Sequence, residues 1–288
     1  MTTARFIKFA LPAIALPALI GLILPARIWP TYFDILEPIS LLIGSLLACY
    51  ISFMYRSELK VAYIFLSAFL FIYMVAIILL LSFSPVLLPY LESRLGGAET
   101  IFIVQGIQFI NYAMLFLFCV NLLKVVDITK LNRNGWFIFV LTTVYCIFTA
   151  IYPKLDLIVN LRNLELPEIS YLAVRILDAA LIVILTPVIW LYVQHLKSQQ
   201  RQSLAFTIVI IGIVWATLFD YLFELIMVIF PNLLGQDSHL LVTIPEALFI
   251  YGYLIIAVGL FAHCNQDKWG YDIIDRTTAG ELKLVDTK

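Results

Sequence analysis

Charge is scarce in this chain: Asp, Glu, Lys and Arg together make up 13% of its 288 residues, while 63% are hydrophobic. Soluble domains carry about a quarter charged residues, so a water-facing globule of this length is excluded. The mean hydropathy of +1.01 points the same way, and hydrocarbon is the expected solvent. The basic surface that a nucleic-acid phosphate backbone demands is also lacking, because the formal net charge is −1 and Lys and Arg are not massed on any segment. Cysteine is sparse and unpaired in sequence. Cys49, Cys119, Cys146 and Cys264 stand singly in apolar stretches, with no Cys-x-x-Cys and no nearby pair of histidines, which excludes a disulfide framework or a zinc site and leaves small packing residues as the reading.

Catalytic signatures are missing as well. The chain contains no Gly-x-Ser-x-Gly, His-Glu-x-x-His, Walker loop or Asp-rich magnesium-binding run, so neither an enzyme nor a cofactor is expected. The last apolar stretch has no lysine for a retinal Schiff base. His195 and His263 close the sixth and eighth stretches, where a cation at a helix C-terminus is favourable, and this reading is preferred to a pair of haem ligands.

Long apolar runs are abundant. A membrane helix needs about 20 mostly apolar residues, and eight stretches qualify, near 7–25, 35–55, 61–88, 101–123, 136–153, 170–195, 204–230 and 242–263. The expected fold is all-α, a polytopic transmembrane bundle of about eight helices, with a membrane domain over 1–265 and a short cytoplasmic tail over 266–288. The first stretch follows Arg5 and Lys8 as a secretory signal would, but it holds Pro12 and Pro17 and has no Ala-x-Ala site; a retained helix is expected. Placing both ends in the cytoplasm puts Arg5, Lys8, Arg56, Lys60, Lys124, Lys130, Arg133, Lys197, Arg201, Lys268, Arg276, Lys283 and Lys288 inside, against Arg27, Arg94, Lys154, Arg162 and Arg175 outside. That asymmetry is what the positive-inside rule requires of a multi-pass cell-membrane protein.

Charge within the spans is the best clue to function, since an Asp or Arg at a helix centre costs about 2.5–3.5 kcal/mol on insertion scales. Arg175 and Asp178 share a face of the sixth span, being three residues apart, and Asp220 and Glu224 share one of the seventh, being four apart. Glu246 begins the eighth. In the N-in topology all five lie in the outer half of the bilayer, with Glu246 shallowest and Asp220 deepest at 1.5 Å per residue. Gln105, Gln108 and Asn111 form a three-residue-step stripe on the fourth span at similar depth. Meeting in one place, these groups would set one cation against four carboxylates, an imbalance relieved by protonation, by water, or by a bound cation or amine. The competing reading makes Arg175 and Asp178 a structural pair, Glu246 a helix-start acid and the amides interhelical glue. Asp34, Glu37, Glu92, Glu165, Glu168 and Asp237 are expected to be solvated surface charges. Gly44 with Ala48, and Gly252 with Gly259, are expected to let helices approach closely.

Two segments resemble a known group. FDYLFEL at 219–225 with IPEALFIYGYLIIAVGLFAH at 244–263, and EPISLLIGSLLACYISFMYRSELKVAYIFLSAFLFIYM at 37–74, are similar to the multi-helix membrane sensor domains of histidine kinases and diguanylate cyclases. The resemblance implies a sensor whose output would pass through a separate cytoplasmic signalling partner. The residues themselves leave three readings open: a sensor-like protein binding a small ligand or protons at the acidic cluster, a proton- or cation-coupled transporter, and an accessory subunit of a membrane complex.

Overall fold

The computed structural model describes residues 3–24, 28–55, 58–95, 97–125, 128–151, 166–197, 208–219 and 239–265. They form eight helices and, among the described residues, no strand: α1 (Thr3–Ile23), α2 (Trp29–Met54), α3 (Glu58–Leu95), α4 (Gly97–Val125), α5 (Arg133–Ile151), α6 (Leu166–Lys197), α7 (Ile208–Phe219) and α8 (His239–Cys264). The all-α class and the helix count agree with the expectation above. Five helices are long and apolar enough to cross a membrane, over Thr31–Met54, Glu58–Leu79, Gly106–Lys124, Leu172–Leu191 and Ala247–Cys264.

The packing of α2 shows why lipid is the solvent. Its buried stripe is Ser40, Leu41, Gly44, Ser45, Ala48, Ile51 and Ser52, repeating at three- and four-residue steps. Its exposed stripe is Ile39, Ile43, Leu46, Tyr50 and Phe53, the last 75% exposed. Small and hydroxylic residues face protein and bulky apolar ones face outward, the arrangement that suits hydrocarbon and would precipitate in water. The exposed side of α5, with Phe137, Val140, Leu141 and Val144, repeats it.

Helix α2 lies between α3 and α8, α3 packs on α4, α4 on α6, α6 on α5, and α1 rests on α8. Reciprocal hydrogen bonds tie α2 to α3: Ser45 Oγ donates to the Ser67 carbonyl and Ser67 Oγ to the Ser45 carbonyl, each at 3.0 Å. Hydroxyl bonds between membrane helices are each worth about 1 kcal/mol. Ser45→Ala should therefore lower unfolding stability in micelles by about 1 kcal/mol. Ser45→Ala with Ser67→Ala should cost less than twice that, because both substitutions remove parts of one pair.

Two close approaches organise the rest. Asn132 caps α5, its Oδ1 accepting from the Gly135 amide at 2.8 Å and from Trp190 Nε1 of α6 at 2.9 Å. A Cβ at Gly135 would stand 2.4 Å from the Trp190 ring, so only glycine lets the indole lie across the start of α5. Helices α7 and α8 touch backbone to backbone. A Cβ at Gly252 would come 2.7 Å from the Ala216 nitrogen, one at Gly259 2.8 Å from the Val209 nitrogen, and one at Gly212 2.8 Å from the Ile256 nitrogen. The expected role of Gly252 and Gly259 is thus observed, and Gly212 completes the contact. At Gly44 the nearest atom is 3.1 Å away, the tip of the Leu70 side chain. Trp215 Nε1 adds a 2.8 Å bond to the Leu248 carbonyl.

The surface charges need one correction. Asp34 and Glu37 are half-buried, not freely solvated, and Glu37 Oε1 has no accessible surface. The first turns of α2 are covered by α1, whose Pro17 carbonyl accepts from Tyr32 at 2.9 Å, and by α8, whose Tyr251 meets Phe33 edge-on at 6.3 Å. Glu168 lies in α6, but its side chain and those of Glu92, Glu165 and Asp237 fall outside the described residues.

Candidate functional site

Helix α6 carries its two charges into the protein interior. Arg175 is 0% exposed and Asp178 1% exposed, as the cost of turning either to lipid requires. The Tyr112 hydroxyl of α4 donates to Asp178 Oδ1 at 2.5 Å, a charge-assisted bond that fixes one carboxylate oxygen. Asn111, the residue before Tyr112, is 3% exposed, and its Oδ1 has no hydrogen-bond partner among the described residues.

Asp178, Tyr112 and Asn111 border a cavity of about 100 Å³. Helix α4 contributes Gln108, Asn111 and Tyr112 to its wall, α6 contributes Asp178, and α7 contributes Thr217. The remaining wall is apolar: Phe69 and Tyr73 of α3 and Phe249 and Tyr253 of α8 supply rings, and Leu115, Ile213, Ala216 and Ile256 supply aliphatic surface. Tyr73 and Tyr253 have ring centroids 5.3 Å apart, and Phe249 stands edge-on to Tyr253 at 5.1 Å. Thr217 donates its hydroxyl proton back to the Ile213 carbonyl at 2.9 Å, the usual use of a helical threonine. Five helices thus meet at one small, polar-and-aromatic space. Among the described residues no three His, Cys, Asp or Glu side chains are grouped to hold a metal.

The sequence-expected residues divide into two sets. Arg175, Asp178, Gln108 and Asn111 are described, and of these Asp178, Gln108 and Asn111 share the cavity wall while Arg175 is buried one turn away on the same helix. Gln105 lies in α4 and Glu246 in α8, but their side chains, like the whole of Asp220 and Glu224, fall outside the described residues. Sequence reading missed Tyr112, Thr217, Tyr73 and Tyr253. Tyr112 was within reach, standing four residues after Gln108 on the same stripe. The aromatic wall carried no signal, because tyrosine and phenylalanine are frequent throughout the spans.

A second polar cluster occupies the opposite end of the bundle, where α2 ends, α3 begins and α8 ends. His263 is 5% exposed, its Nε2 lying 2.5 Å from the Tyr55 hydroxyl. The Tyr63 ring is 5.6 Å from the imidazole and stacks on Tyr55 at 5.8 Å. His263 is therefore a core histidine held by two tyrosines, where the sequence suggested a cation at a helix C-terminus. The ring is covered because α8 packs against α2 along its length. The side chain of His195 is not among those described. Cys119 and Cys146 are buried as packing residues, while Cys49 faces outward.

No family model matches the sequence, and neither a curated protein nor a solved structure matches it.

Proposed function

We propose that this polytopic membrane protein is sensor-like and binds a small cationic or hydrogen-bonding ligand, or protons, at the cavity around Asp178. The observation that carries this reading is a buried carboxylate bordering a space shared by α3, α4, α6, α7 and α8. A change in charge or occupancy there acts on five helices at once, and a ligand shifts helix packing by as much as it prefers one arrangement over another. The distribution of Lys and Arg supports an N-in, C-in orientation, which turns the cavity toward the outer half of the bilayer. The resemblance to kinase and cyclase sensor domains favours transmission to a separate cytoplasmic partner.

The test is a titration of tryptophan emission in nanodiscs, since Trp215 reports on the α7–α8 contact beside the cavity. Wild type should show a reversible change on acidification or ligand addition. Asp178→Asn should remove that change while retaining a cooperative melt. An unaltered response in the variant would dismiss the carboxylate as the responding group.

The buried Tyr55–His263 pair at the opposite end favours a second reading, a proton- or cation-coupled transporter, because it places polar groups in both halves of the bundle. Substrate-dependent proton flux into reconstituted vesicles would support that reading over the first.

A further inference from the structure

The hydrogen-bonding state of the cavity wall narrows the ligand class beyond a small polar species. Two of its oxygens are acceptors in search of a proton. Asn111 Oδ1 has no partner among the described residues, and Thr217, at the cavity wall, has committed its own proton to the Ile213 carbonyl, so its oxygen retains only acceptor capacity. Of the described residues lining the space, Asp178 is the one that bears a formal charge, and that charge is negative. The rest of the wall is apolar, part aliphatic and part the rings of Phe69, Tyr73, Phe249 and Tyr253, groups that can attract a desolvated cation.

Size favours a small ligand. A volume of about 100 Å³ holds the equivalent of about three waters at roughly 30 Å³ each. Drug-sized pockets begin near about 300 Å³. A bare metal cation is poorly matched, because hard cations take about six or more oxygens and this wall is mostly apolar carbon. A cation with directional N–H donors needs only two or three oxygens and a ring.

We propose that the cavity binds a small primary ammonium ion of the methylammonium type, selected over quaternary ammonium because only the former supplies protons to Asn111 and Thr217. The proposal rests on the ligand-binding reading above and deepens it. A quaternary ion would satisfy the charge and the rings but leave a buried carbonyl oxygen unbonded, the costly case for a polar group.

The experiment measures melting temperature and calorimetric binding of the full chain in nanodiscs, with methylammonium, tetramethylammonium and sodium chlorides at matched ionic strength. Saturable stabilisation by methylammonium alone is expected. Affinity should fall about three- to tenfold in Thr217→Val and in Asn111→Leu, as loss of one hydrogen bond implies, and should vanish in Asp178→Asn. Thr217→Val preserves side-chain shape and keeps the test decisive should the Asp178 variant fail to fold; an unchanged affinity in it would overturn the proposal. Equal or tighter binding of tetramethylammonium would overturn donor selection and leave a cation-binding site standing. If neither amine binds yet Asp178→Asn still abolishes the acid response, this proposal fails and the broader reading survives. If neither amine binds and the variant responds as wild type, both fail.

Discussion

A Gly252→Val variant is expected to melt far below wild type and to lose the tight α7–α8 contact. The added Cβ alone would lie 2.6–2.8 Å from the Cβ, N and Cα atoms of Ala216. Those are largely backbone atoms of a neighbouring helix and cannot swing aside as a side-chain tip can. Overpacking a well-filled interior costs about 1–3 kcal/mol, and the γ-methyls of valine place this case at or above the top of that range. Separating the helices also moves Thr217 and Tyr253, one on each, so any ligand response should disappear with the stability. Two controls give the contrast. A Cβ at Gly44 meets only the mobile end of Leu70, and one at Gly106 meets nothing within 4 Å. Gly44→Ala should have a small effect, and Gly106→Ala should match wild type or gain slightly from helix propensity. Scanning calorimetry in a mild detergent ranks them; a Gly252→Val melt equal to that of Gly106→Ala would mean that the two backbones are not in contact.

Loss of Arg175 should be nearly as severe. The guanidinium is entirely covered, and Asp178 sits one turn further along the same helix in an equally dry setting. Removing one charge from such an interior typically costs about 3–5 kcal/mol, because the remaining one is left uncompensated. Arg175→Met keeps much of the volume and removes the charge, so its penalty reports electrostatics and not a void. Arg175→Met combined with Asp178→Leu should recover part of the loss, since well-packed apolar pairs can replace buried ionic ones without penalty. A double-mutant cycle by denaturant unfolding measures the coupling directly. Strictly additive losses would mean that the two charges are balanced by other groups and not by one another.

How much of this was legible in the residues follows from the physics of each feature. Each of the eight apolar stretches holds a helix among the described residues, the seventh only over Ile208–Phe219, and five of these helices are long and apolar enough to span hydrocarbon, which leaves no other way to satisfy a backbone. Their ends were less legible: the third stretch, read as 61–88, is helix from Glu58 to Leu95, since a helix continues past the apolar run wherever its polar residues remain good helix formers. Inward-facing Arg175 and Asp178 could be foreseen from cost alone, and the step from Gln108 to Asn111 located the neighbouring helix face. The Tyr55–His263 contact could not be foreseen. Its partners are 208 positions apart, and nothing local distinguishes a histidine ending a helix in water from one ending it against a neighbour. The same holds for Gly212, whose meaning arises only when α8 is laid beside it. Asp34 and Glu37 misled because an acid near a helix start is ordinarily wet, and only the placement of α1 and α8 over α2 covers them.

The tyrosine-held His263 has a mechanical corollary. From Tyr253 at the cavity to His263 is ten residues, or about 15 Å of helix. If the cavity responds as proposed, the contacts of His263 with Tyr55 and Tyr63 would resist sliding of α8 along its axis and convert displacement at the cavity into rocking about its far end. Because Gly252 and Gly259 seat α8 directly on the backbone of α7, the proposed rocking would carry both helices together, and a push at one end of the bundle would emerge as rotation at the other.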